Sequence, residues 1–102
     1  MNNQRRKELK ELIKDLTSLS ERFENLKSEL ESLSEELNAI RDDEQEALDN
    51  LPEGIQMSER GERMEEIIDT LDEAVSNVDY VDIDDILSYI SDAIDNIEEA
   101  IS

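Results

Sequence analysis

Ten apolar side chains recur along the first half of this chain in alternating steps of three and four, without a fault: Leu9, Leu12, Leu16, Leu19, Phe23, Leu26, Leu30, Leu33, Leu37 and Ile40. That spacing returns an apolar group to the same side of an α-helix at each turn. A strand, with its period of two, cannot use it, and a disordered segment does not produce it. Written as a heptad, residues 9, 16, 23, 30 and 37 occupy a, and 12, 19, 26, 33 and 40 occupy d. Glu44 breaks the next a position, Ala47 keeps d, and Leu51 returns to a. The pattern predicts one helix over residues 5–49, roughly 68 Å long at 1.5 Å per residue. Such a helix cannot leave its seam in water, so the ten residues are the expected coiled-coil interface.

Pro52 ends the pattern, because the residue before a proline is pushed out of helical geometry. Both glycines and the only proline lie within NLPEGIQMSERG, and residues 50–57 read as a loop with some packing of Leu51, Ile55 and Met57. Ser58 suits an N-cap, and Glu59 and Glu62 suit the positive end of a following helix. Gly61 is a weak spot in that first turn. A helix over 58–78 follows from Met64, Ile68, Leu71, Val75 and Val78, with Ile67 and Ala74 widening the stripe. Another over 82–101 follows from Ile83, Ile86, Ile90, Ala93, Ile97 and Ala100, flanked by Leu87, Ile94 and Ile101. From Val78 to Ile83 the step is five, so the phase slips. The four aspartates of NVDYVDIDDI therefore mark a joint, where Asp82 or Asp84 can cap a new helix.

The expected fold is all-α, a single helical domain over residues 1–102. A long heptad helix packs against an antiparallel C-terminal arm that is broken near 79–82. The arrangement is a helical hairpin or a three-helix bundle, and seam left uncovered makes it a homodimer. In the hairpin, Arg5, Arg6, Lys7, Lys10 and Lys14 lie beside Asp92, Asp95, Glu98 and Glu99. A parallel zipper is poorly specified: of its g-to-e′ pairs only Glu36–Arg41 attracts well, and Arg22–Lys27 repels.

Charge limits the function. The net charge is -20, from 30 acids and 10 bases. Residues 1–51 hold 8 bases and 14 acids, residues 52–102 hold 2 and 16, and no base follows Arg63. Such a segment repels nucleic acid and anionic membranes and attracts basic protein surfaces. Cysteine and histidine are absent, which removes thiol nucleophiles, disulfides, the usual zinc sites and imidazole chemistry. A calcium loop fails in both registers: from Asp82 the fifth position is Ile86 and the twelfth Ala93, and from Asp79 the third is Val81. No nucleophile–base pair or phosphate-binding glycine loop is present. The reading is therefore a non-enzyme without cofactor or metal. MNNQRRKELK leads into charged residues rather than an apolar stretch, so a cytoplasmic location is expected.

Residues 64–102 hold 13 acids and no base, about one charge per 4.5 Å of helix, against one per ~1.7 Å in duplex DNA. Two helices side by side approach that density. Asp69, Asp72, Glu73, Asp79, Asp92, Asp95 and Glu99 avoid the apolar stripe and form the candidate partner-binding face.

The stretch IRDDEQEALDNLPEGIQMSERGERMEEIIDTLDEA, residues 40–74, resembles a recurrent segment of small acidic proteins of bacteriophages, prophages and bacterial mobile elements. The matching features are an acidic helix end, the turn Asp49-Asn50-Leu51-Pro52-Glu53, then Ser58-Glu59-Arg60-Gly61-Glu62 and an acidic amphipathic helix. The likeness covers about a third of the chain and implies an origin rather than an activity, with a bacterial host cell as the setting. The expected function is that of a non-enzymatic, protein-binding accessory protein, an adaptor or inhibitor. The alternative is a DNA mimic that blocks a nucleic-acid-binding host or defence protein through its acidic C-terminal face. A purely structural coiled coil is the second alternative.

Overall fold

The computed structural model describes residues 1–102. The protein is entirely helical, with 89 % of the chain in helix and no strands. A long helix α1 (Asn3–Asp49) is followed by a single-turn α2 (Glu53–Gln56), α3 (Glu59–Asp79) and α4 (Ile83–Ile101). No helix is long and apolar enough to cross a membrane. The chain folds as two compact units: one holds Leu30–Val81, the other Met1–Glu29 with Asp82–Ser102.

Neither glycine nor proline interrupts the 47 residues of α1. Its first turn carries no acid and two arginines, Arg5 and Arg6, which oppose the helix dipole. Asn2 offsets part of this, its Oδ1 accepting from the Arg5 amide at 2.8 Å. At the other end the last turn has no base. Free carbonyls there are met instead by Gln56, whose Nε2 donates to Leu51 O at 2.9 Å and Asp49 O at 3.2 Å.

Two local expectations are corrected between residues 50 and 60. The stretch expected to be a loop contains α2. Pro52 holds φ at -55°, and its carbonyl accepts from the amides of Ile55 at 2.8 Å and Gln56 at 3.0 Å. A proline at a helix entrance loses no hydrogen bond and is already set for the turn. Ser58 does precede α3 in extended geometry, but its side chain makes no cap bond. Its hydroxyl donates backwards to the Ile55 carbonyl, so it closes α2 instead of opening α3.

In the Leu30–Val81 unit, α3 runs antiparallel to the second half of α1. Arg41 Nε donates to Asp72 at 2.7 Å, and Ser34 Oγ, further back on α1, donates to Asp79, further on in α3, at 3.0 Å. Leu48 and Ile68 are buried beneath this pairing, Ile68 most deeply at 4 % exposed. In the other unit, Asp82 caps α4, accepting from the Asp85 amide at 3.1 Å. Ile83 is buried, and Lys27 Nζ donates to Asp84 at 2.7 Å. Tyr80, Val81 and Asp82 form the joint between α3 and α4.

The expected pairing of N-terminal bases with acids near the C-terminus does not form. Lys14 pairs with Glu11 on its own helix at 3.6 Å, and Arg5, Arg6, Lys7 and Lys10 pair with no arm acid. Lys7 and Lys14 occupy f, off the shielded a and e line, and Asp92, Asp95 and Glu99 lie on the exposed side of α4 away from its apolar stripe.

The residues of α1 that packing shields follow a and e. They run Leu9, Ile13, Leu16, Ser20, Phe23, Lys27 and onward through Leu30, Ser34, Leu37, Arg41, Glu44 and Leu48. Among the ten heptad residues, the a set and Leu19 are shielded. Leu12, Leu26, Leu33 and Ile40 are between 49 % and 55 % exposed.

Candidate functional site

The arm's acids divide into two groups. Asp72, Asp79 and Asp84 turn toward α1 and meet Arg41, Ser34 and Lys27. The e residues 27, 34 and 41 lie seven apart, one on each second turn, on a single edge of α1. An arm acid stands opposite each. Asp72 and Asp79 of the candidate face therefore lie at the edge of the α1–α3 seam in the Leu30–Val81 unit, and Asp84 meets Lys27 in the other unit. Sequence reading missed this role for Lys27, Ser34 and Arg41. The available signal was the coincidence of two spacings: a polar residue every seventh position on α1, and acids at 72, 79 and 84.

The remaining candidates point outward. Asp69 and Glu73 lie on the exposed back of α3, joined there by Glu62 and Glu66. Asp92, Asp95 and Glu99 lie on the exposed back of α4. None of these five candidates engages a cation. Each unit thus carries its own outward acid ridge.

Electrostatics within the pairs and clusters is one-sided. Asp72 and Asp42 hold the Arg41 guanidinium above its ordinary pKa, mainly through the Asp72 hydrogen bond. The Asp85 carboxyl is pushed up, chiefly by the neighbouring charge of Asp82, with slight desolvation, a hydrogen bond to Asp82 and the charge of Asp84 adding to it. No group of three or more carboxylates converges as a metal ion requires.

The back of α3 also carries a shallow groove of about 280 Å³ lined by Arg63, Glu66, Ile67, Thr70 and Leu71. It is open and partly apolar, and the Thr70 hydroxyl in it donates to the Glu66 backbone carbonyl at 2.9 Å. Comparison with protein-family models, curated proteins and solved structures finds no match. The surfaces carry a polar edge, outward acid ridges, and apolar side chains left half in water.

Proposed function

We propose that this chain is a non-enzymatic, protein-binding accessory protein of bacteriophage or mobile-element origin, an adaptor or inhibitor that works in the bacterial cytoplasm as a self-associating coiled coil. One observation carries the reading. The acids of the two ridges are exposed and unpaired, and no base follows Arg63. The fold uses Asp72, Asp79, Asp82 and Asp84 and leaves the ridge acids idle. A partner with a basic surface would be drawn to them by long-range attraction and held by ion pairs.

A second reading, mimicry of nucleic-acid phosphates, is favoured by the unbroken sign of the charge: 13 acids and no base over residues 64–102. On that reading the partner is a protein whose basic surface ordinarily holds DNA or RNA.

Affinity capture from bacterial lysate tests both. A protein retained at low salt and released at high salt is expected, because the screening length shrinks from ~10 Å at 0.1 M to about 3 Å at 1 M. Reversing the ridge charges (Asp69→Lys with Glu73→Lys, or Asp92→Lys with Asp95→Lys) should abolish capture while helicity persists. Competition by duplex DNA for the captured protein separates mimicry from adaptor binding. Capture that is insensitive to salt and to the reversals would sink the ridge reading.

A further inference from the structure

The two units divide charge differently across their helix pairs. In the Leu30–Val81 unit, residues 30–49 of α1 hold one base and eight acids, net -7, and α3 holds two bases and eight acids, net -6. In the other unit, residues 3–29 of α1 hold seven bases and six acids, net +1, and α4 holds six acids and no base. The first unit therefore sets two strongly acidic helices side by side. The second sets a nearly neutral helix beside an acidic one.

Little opposes the repulsion in the first pair. Its buried apolar side chains are Leu48 and Ile68. One ion pair, Arg41–Asp72, crosses its seam, with the two side chains 27 % and 50 % exposed, so water screens much of the attraction. Ser34 draws a second carboxylate, Asp79, to the same edge. Glu44 lies on the shielded line of α1 itself and has no cation partner. Helices of folded proteins owe most of their stability to packing, so α3 keeps its structure only while it stays against α1.

We infer that α3 is a cation-gated clamp: it closes on α1 when positive charge in solution or on a partner screens the pair, and it opens when that charge is withdrawn. α4 is not gated in this way. The gate needs no pocket, only a shorter reach of like-charge repulsion, and that reach falls from ~30 Å at 0.01 M salt to about 8 Å at 0.15 M. No partner is required, but closure and ridge binding are linked. A basic surface that settles on Asp69 and Glu73 also screens α3, so each event favours the other.

Hydrogen exchange followed segment by segment tests the gate on the unaltered chain. Between about 0.01 M and about 0.15 M sodium chloride, amide protection in α3 should rise roughly tenfold, while protection in α4 stays level or falls. Spermine at low salt should act like added salt, because screening strengthens with the valence of the ion. Glu35→Gln, Asp43→Asn and Glu46→Gln remove three exposed α1 acids that have no cation partner. Combined, they should protect α3 at low salt and flatten its response. Asp92→Asn with Asp95→Asn, on α4, should leave the α3 response in place. Protection of α3 that is flat or falls with salt overturns the inference. So does a rise shared equally by α3 and α4, or one that survives the triple neutralisation. These results are independent of lysate capture, whose loss with the gate intact counts against the ridge function alone.

Discussion

The two glycines of this chain should answer the same substitution with opposite signs. Neither has a positive φ, so neither is needed for backbone conformation. Gly61 is buried in the first turn of α3. A Cβ there would lie 2.8 Å from Gln56 Cα and closer still to its carbonyl group. These are backbone atoms and cannot swing aside. Gln56 is itself held, its amide on Pro52 O at 3.0 Å and its side chain on Leu51 O and Asp49 O. Relieving the clash in Gly61→Ala means moving α2 and straining the closure of α1. Overpacking costs about 1–3 kcal/mol, and a loosened hydrogen bond costs about 1 kcal/mol. Alanine's better helix propensity returns about 0.5–1 kcal/mol. The net is a loss of about 2 kcal/mol, or roughly 8–16 °C in melting temperature for a domain of this size. Gly54→Ala meets nothing within 4 Å and keeps only the propensity gain, so it should raise the melting temperature by a few degrees. Thermal unfolding followed by circular dichroism at fixed protein concentration measures both. A Gly61→Ala protein as stable as the parent would refute the close approach of α2 and α3, and with it the local account of this turn.

Ile68, the most shielded side chain at 4 % exposed, should cost about 2–5 kcal/mol on truncation to alanine, read from urea unfolding. A loss under about 1 kcal/mol would place the core elsewhere. Asp85→Asn should raise the melting temperature at pH 7. The carboxyl is pushed up by Asp82, so the folded state holds its proton more tightly than the unfolded state. Its ionised form therefore costs stability at neutral pH, and that cost is relieved as pH falls through the folded pKa. The advantage of Asp85→Asn should shrink with acidification and vanish below the ordinary aspartate range near ~3.9. A difference independent of pH would show that repulsion is not its cause.

How much of this was legible in the sequence depends on whether the deciding physics is periodic. Steps of three and four gave α1 and the helical arm, and the five-residue step from Val78 to Ile83 marked the joint, where Asp82 caps α4 as one of the two aspartates expected to do so. The turn between α1 and α3 was less legible. Glu-Gly-Ile-Gln is too short to show a period and contains a poor helix former, so α2 is set by Pro52 and by contact with α3. The hydroxyl of Ser58 had two carbonyl or amide partners within reach, and composition does not choose between them. Spacing was also blind to which line of α1 faces the arm. Positions a with d and positions a with e both alternate by three and four. Apolar content favoured d. The fold turns e inward, burying Leu48 and shielding Ile13 on that line, and Lys27, Ser34 and Arg41 meet Asp84, Asp79 and Asp72 along it. No single helix read alone contains that information.

The same accounting bears on what the charge is for. Three arm acids meet α1, Asp72 and Asp84 as ion pairs with Arg41 and Lys27 and Asp79 by a hydrogen bond from Ser34. A fourth, Asp82, starts α4. Others act locally: Glu59 and Glu62 sit in the first turn of α3, and Glu11 and Asp42 pair with Lys14 and Arg41. The outward acids Asp69, Glu73, Asp92, Asp95 and Glu99 pair with no cation, and several acids elsewhere work against the fold. None of the four helices has a base in its last turn, and α1, α3 and α4 carry acids there, in conflict with the dipole at their C-terminal ends. A net charge of -20 on 102 residues adds self-repulsion that a few lysines on the backs of α3 and α4 would remove, with i,i+4 pairs gained in addition. Solubility needs far less charge than this. An unrelieved field of one sign stabilises nothing in the isolated chain. It becomes favourable only when a surface of the opposite sign approaches, and this is why the idle acids, rather than those that organise the arm, are the ones to reverse.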